Sequence, residues 1–147
     1  MKKVLLVALL LLGFAGAAGA AEHATPDEAK AMAVKAAEYL KANGSEKAFA
    51  AFKAPDGGFR DRDLYVVVQD HNGVMAFHPI APALIGKSML DLKDVDGKPF
   101  NREVQAIKDT GWVEFKWMDP TTKAVAPKKS YVVNTGDYFV MVGAYVQ

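Results

Sequence analysis

The sequence predicts an α+β domain: a five-stranded antiparallel sheet behind a long amino-terminal helix, with a helical crossing segment over the other face of the sheet. Three observations carry this reading. A fully punctuated helical pattern opens at Thr25, the hydrophobic period changes from that of helices to that of strands at Leu64, and residues 79–111, too many for a turn, separate the second strand from the third.

What precedes Thr25 stands apart from the domain. "MKK" is a short basic start, "VLLVALLLL" an apolar run, and Ala18-Gly19-Ala20 a small-residue exit, the order of a secretory signal peptide over residues 1–20. The apolar run is about half the roughly 20 residues that a bilayer-spanning helix needs. Cleavage after Ala20 delivers residues 21–147 to the periplasm or the medium, and retention leaves the same segment as an anchor. The chain has 147 residues, 51% apolar and 24% charged, which fits one compact domain. Loss of residues 1–20 takes Lys2 and Lys3 from the 18 basic residues and none of the 17 acidic ones, so the formal charge passes from +1 to −1. That balance lacks the basic footprint of a nucleic-acid binder. The absence of cysteine excludes disulfides, thiolate metal sites, c-type haem attachment and cysteine nucleophiles together.

The first helix is predicted over residues 25–42. Thr25 caps it, Pro26 suits the first helical position, Glu28 falls three residues after the cap, and Asn43-Gly44 stops it. Ala29, Met32, Ala33, Ala36, Ala37 and Leu40 recur at helical spacing as a stripe of mostly small side chains. Such a stripe permits close approach to a sheet or to another helix, so a homodimer through helix 25–42 is an open expectation. A second helix is predicted over residues 45–53, with Phe49 and Phe52 inward and "APDGG" closing it. Strands are predicted over residues 64–70, 73–78, 112–118, 128–134 and 137–146, with Asn72-Gly73 making a tight hairpin between the first two. The crossing segment carries a helix over residues 99–108, with Phe100, Val104 and Ile107 inward. The first helix and the crossing segment then cover opposite faces of the sheet, and a pocket between lid and sheet is the natural place for a small ligand.

Six short motifs in order give the chain a family resemblance. They are His78-Pro79, Pro82-Ala83-Leu84-Ile85-Gly86-Lys87, Lys93-Asp94 with Gly97-Lys98, Gly111-Trp112 through Trp117, Pro127-Lys128-Lys129-Ser130-Tyr131, and Gly143-Ala144-Tyr145. In this the chain resembles the single Cache domain, the extracellular sensor module of bacterial chemoreceptors and histidine kinases. The resemblance implies a PAS-like fold, a role in signal transduction or chemotaxis, a membrane receptor or kinase as partner, and a pocket that in many members takes a short carboxylate such as acetate, propionate or pyruvate. No hydrophobic span follows Tyr145, so a stand-alone exported domain is expected, and "PTTKAVAPK" replaces the more usual proline-rich loop.

A carboxylate in an apolar pocket needs a cation or several donors. Lys128 is the candidate cation and shares a strand face with Ser130, whereas Lys129 shares its face with Tyr131 and Val133. Composition alone would leave both lysines solvated at a strand start; the resemblance turns Lys128 inward. Tyr131 joins the same site only if a bulge interrupts the alternation. His78 ends its strand at a proline and offers an imidazole donor, Trp117 offers an aromatic wall, and Tyr65 lines the first strand. No catalytic constellation is visible: there is no nucleophile elbow, phosphate loop or paired-carboxylate pattern, so binding without turnover is expected. No cofactor is expected. Asp94, Asp96, Gly97 and Glu103 match parts of a calcium loop, but Leu92 stands at its first position, and His23, His71 and His78 lack metal-ligand spacing. The rival to a ligand sensor is an interaction or structural envelope module whose pocket is filled by its own side chains.

Overall fold

The computed structural model describes residues 22–146, so the leader expected at residues 1–20 lies outside the described residues. Helix α1 runs Pro26–Asn43 and α2 runs Ser45–Lys53. The start of α1 is a reciprocal capping box: Thr25 Oγ1 accepts from the Glu28 amide at 3.2 Å, and the Glu28 carboxylate accepts from the Thr25 amide at 2.7 Å. Gly44, with φ at 78°, ends α1 in a conformation that an L side chain resists and lets α2 begin one residue later.

Six strands follow: β1 (Arg60–Asp61), β2 (Leu64–Asp70), β3 (Met75–Phe77), β4 (Thr110–Met118), β5 (Val125–Asn134) and β6 (Tyr138–Tyr145). All pairings are antiparallel, in the order β1-β2-β6-β5-β4, with β3 also on β2. The sheet thus has one strand more than the five expected, because two residues are too short a run to leave a hydrophobic period. The last strand in sequence lies at the centre, between the first long strand and the fifth.

Two further elements depart from expectation. The hairpin between β2 and β3 is not the two-residue turn that Asn-Gly favours. Gly73 N donates to Asp70 O, Asp70 N donates to Val74 O, and positive φ falls on Gly73 and not on Asn72, the pattern of a type I turn closed by a glycine bulge. The Asp70 carboxylate explains the choice, since it takes the amides of Asn72 and Val74 at 2.8 and 2.9 Å. Helix α3 covers only Phe100–Gln105 in place of 99–108. The next residues are drawn to the end of β5, where the Asn134 side chain donates to the carbonyls of Ile107 and Lys108 and its amide donates to Asp109 O.

Alternation along the strands sorts the core into two layers. On one face Val66, Val68, Tyr131, Val140, Val142 and Ala144 pack against Ala29, Ala33, Ala36, Ala37 and Leu40 of α1 and Phe52 of α2. The small-residue stripe of α1 therefore packs on its own sheet. On the opposite face Val113, Val132, Phe139 and Met141 pack under Phe100 and Val104 of α3, with Val67, Phe115 and Trp117 at the margin. The crossing segment is tied down by Asp94, whose carboxylate takes the amides of Asp96, Lys98 and Lys116; those bonds, that of Lys116 first, hold it below the usual carboxylate range. Among the described residues no helix is long and apolar enough to cross a membrane.

Both ends of the described chain converge on one carboxylate. Asp63 is fully buried; it accepts from the Ala24 amide at 2.6 Å and from the Tyr145 amide at 2.9 Å. Next to it, His23 Nε2 lies 2.7 Å from Asp119 Oδ2 and fastens the same segment to the β4–β5 connection. Replacing Asp63 with alanine leaves two buried amides without acceptors, at about 1–3 kcal/mol each. Urea denaturation of Asp63→Ala should show a loss of roughly 2–6 kcal/mol, while Asp61→Ala, which removes a half-exposed partner of Arg62, should stay within about 0.5 kcal/mol.

Candidate functional site

Between the lid and the sheet lies a cavity of about 40 Å³, a size for a few waters or one very small molecule. Its floor comes from Tyr65, Val67 and Gln69 of β2, Met141 and Gly143 of β6, and Lys128 and Ser130 of β5. Phe115 and Trp117 of β4 wall one side, and Phe100, with Asn101 beside it on α3, roofs it. Phe100 stacks on Phe115 with centroids 3.9 Å apart and meets Trp117 edge-on at 5.7 Å, so the wall is a rigid aromatic corner.

The polar end of the cavity is built around Lys128, which is 5% exposed. Its Nζ donates to the Tyr65 hydroxyl at 2.9 Å and lies 4.0 Å from the Tyr65 ring centroid and 5.0 Å from that of Tyr145. The Tyr65 hydroxyl is 3.4 Å from that of Tyr145, which donates to Met118 O. Burial, then the proximity of Tyr65, pushes the Tyr145 phenol far above its ordinary range, so it stays neutral. None of the ion pairs among the described residues includes Lys128. The ammonium is thus solvated by two hydroxyl-bearing rings, with no carboxylate of the described residues at ion-pair distance.

Room for this arrangement comes from Gly143. A Cβ there would overlap Ser130 Oγ and come within 2.5 Å of Lys128 Cε, so the lysine stem lies across the space that a side chain on β6 would otherwise fill. The same register sets Lys128 opposite Phe115 and Tyr145, and Ser130 opposite Val113 and Gly143.

His78 reaches the cavity through a bulge. Val68 pairs with Phe77 but Gln69 pairs with Met75, so Ala76 is an extra residue on β3. The bulge puts Met75 beside the cavity, sends Phe77 to the α1 layer, where it stacks on Phe49 at 5.2 Å, and returns His78 to the lid side. His78 Nδ1 accepts from the amides of Ile80 and Ala81 at 3.2 and 2.9 Å, which fixes the neutral tautomer with its proton on Nε2. Burial, and then the Lys128 charge, lowers its pKa to about 4.

Five of the six residues singled out in the sequence, Tyr65, His78, Trp117, Lys128 and Ser130, line this one cavity. Tyr131 does not. No bulge interrupts β5, so regular alternation carries Tyr131 to the α1 side, where Trp112 meets its ring edge-on at 4.9 Å and Lys30 lies over it. Lys129 shares that face and reaches Glu114 at 3.6 Å near the surface. Gln69 and Asn101 were missed. Gln69 is a polar residue on the Tyr65 face of β2, next to Val67 on that face, which was a usable signal; Asn101, on a lid helix, gave none.

With the site in view, comparisons place the chain among sensors. The family model of single Cache domain 2 matches residues 17–147. The sensor histidine kinase MctS of Rhizobium johnstonii is 33% identical over 87 residues, 58% of this chain and 19% of that protein, so the chain spans about a fifth of its relative. A methyl-accepting chemotaxis protein from Vibrio parahaemolyticus has the same fold, with a TM-score of 0.70 at 26% identity over 82% of this chain and 88% of that one. A periplasmic sensor domain of a chemotaxis protein follows at 0.63 and 23% identity, over 82% and 90% of the two chains.

Two outcomes are expected from this geometry. His78 has its pKa near 4 in the folded protein against an ordinary 6.5, so the unfolded chain binds the proton more readily. Its contribution is complete above pH 6.5 and is lost as the pH falls towards 4, by about 3 kcal/mol at most. Denaturation midpoints of wild type and His78→Asn measured from pH 7 to pH 4 should diverge, the wild type falling more steeply. Gly143→Ala should cost about 1–3 kcal/mol by overpacking. It should also expel the lysine stem from its groove, seen as loss of ligand-induced thermal stabilisation.

Proposed function

The chain belongs to the single Cache domain 2 family of sensor domains, and on that premise we propose that it captures a short organic acid, of the acetate, propionate or pyruvate type, on Lys128 and passes the signal to a membrane partner. The observation that carries this reading is the buried ammonium with no carboxylate at ion-pair distance. A charge withdrawn from water costs several kcal/mol unless it is paired, and a bound carboxylate supplies the missing partner. The Ser130 hydroxyl and the Nε2 proton of His78 are the further donors a carboxylate would use. Because His78 is neutral, the site carries a net single positive charge, matched to a monoanion. The small cavity and its aromatic corner favour a short acyl chain.

The leader at residues 1–20 supports a periplasmic setting, and kinship with chemoreceptor and kinase domains supports a receptor, kinase or transport system as the partner. The acid is bound and released unchanged. Incubation with it should give no product, and steady conversion abolished by His78→Asn would replace the binding reading with an enzymatic one.

The test is a contrast between adjacent lysines. Calorimetry and melting curves with a panel of short acids should find one that stabilises the mature protein; a ligand at 100 times its dissociation constant adds about 2.7 kcal/mol. Lys128→Met should weaken that ligand by about 2–5 kcal/mol, roughly 30-fold to several thousand-fold. The same change should raise the melting temperature of the ligand-free protein, because it deletes an uncompensated buried charge. Lys129→Ala should move neither quantity by more than about 0.5 kcal/mol. Equal, small effects at both positions, or no acid bound at all, would overturn the proposal.

A further inference from the structure

We infer that the far end of the cavity reads a second feature of the ligand: a group remote from the carboxylate that both donates and accepts a hydrogen bond, such as a terminal hydroxyl or carboxamide. The inference rests on carboxylate capture at Lys128 and concerns the two cavity residues not used for it, Gln69 and Asn101. Gln69 lies four residues beyond Tyr65 on the same face of β2, about 13 Å along the strand, and so marks the opposite end of the cavity. Asn101, the second residue of α3, faces it from the lid.

Both side chains are 1% exposed, and they are joined by one bond, Gln69 Nε2 to Asn101 Oδ1 at 2.6 Å. That bond leaves Gln69 Oε1 and Asn101 Nδ2 without partners, and these are the two buried side-chain polar atoms so left among the described residues. The complement does not depend on which way round the amides sit. Any single bond between two amides leaves one carbonyl and one NH₂, hence one acceptor and one donor side by side. The neighbouring cavity wall is Met75, Met89, Leu92 and Phe100, which can satisfy neither. An unmet buried polar group is destabilising, whereas an apolar pair of similar shape is nearly neutral. A plain alkanoate ending here leaves both atoms unmet; a hydroxyl or carboxamide meets both at once. Sites that hydrogen-bond a ligand group discriminate strongly against the analogue lacking it.

The experiment uses matched acids of equal length with the mature protein: propionate against 3-hydroxypropionate, and butyrate against 4-hydroxybutyrate and the monoamide of succinate. Calorimetry on the wild type should show at least one polar-ended acid bound tenfold or more tightly than its alkanoate. In the double variant Gln69→Met/Asn101→Leu the preference should vanish or reverse, with the alkanoate retained. If acids bind but the wild type does not distinguish the members of any pair, an ordered water meets the amides, and the inference falls while the carboxylate reading stands. Binding of none overturns both. The wild-type comparison decides the matter even if the double variant does not fold.

Discussion

A lysine ammonium held out of water without an acid beside it constrains everything on the lid face of this domain. The charge is tolerable only because two tyrosine rings offer their faces and one offers its oxygen, and the stem can reach them only because β6 carries a glycine where it passes. Those requirements interlock. Tyr65 is held by Tyr145, Tyr145 by the carbonyl of Met118, and the imidazole nearest the ammonium is kept neutral by burial and by that same charge. The lid face is thus tied together by a chain of hydrogen bonds around a buried cation.

The two faces of the sheet divide the labour. The α1 face is packed with alanine, valine and phenylalanine, and its closeness comes from small side chains that let a helix lie low on the sheet. The lid face accepts imperfect packing, with a void, a buried cation and two amides half satisfied. Stability of a small domain is a modest difference of large terms, so a site of this kind needs the opposite face to be well made. Binding energy can then go into completing the lid face rather than into holding the fold together.

Much of this was legible because it was local. The capping box, the helix stripe and the period-two strands each follow from residues within a few positions of one another, and they specify the layers. Strict alternation also separated Lys128 and Ser130 from Lys129 and Tyr131, and where a bulge was needed to bring Tyr131 into the site none formed. The bulge that matters sits instead at Ala76, where nothing in "VMAFH" announces it; it is set by how β3 meets β2. Gln69 and Asn101 are 32 residues apart, and their pairing depends on how the crossing segment folds back. Asp63, in "RDRDL", reads as one charge among several in a turn, and only the meeting of distant backbones makes it a buried acceptor.

That carboxylate gives the domain an unusual mechanics. By holding Ala24 with one oxygen and Tyr145 with the other, Asp63 closes the described chain into a non-covalent ring. A pull on either end is therefore shared by both, and it is felt by the backbone of Tyr145, whose hydroxyl lies one tyrosine away from the Lys128 ammonium. The clasp that closes the ring and the buried cation of the cavity are thus joined through two aromatic side chains, Tyr145 and Tyr65.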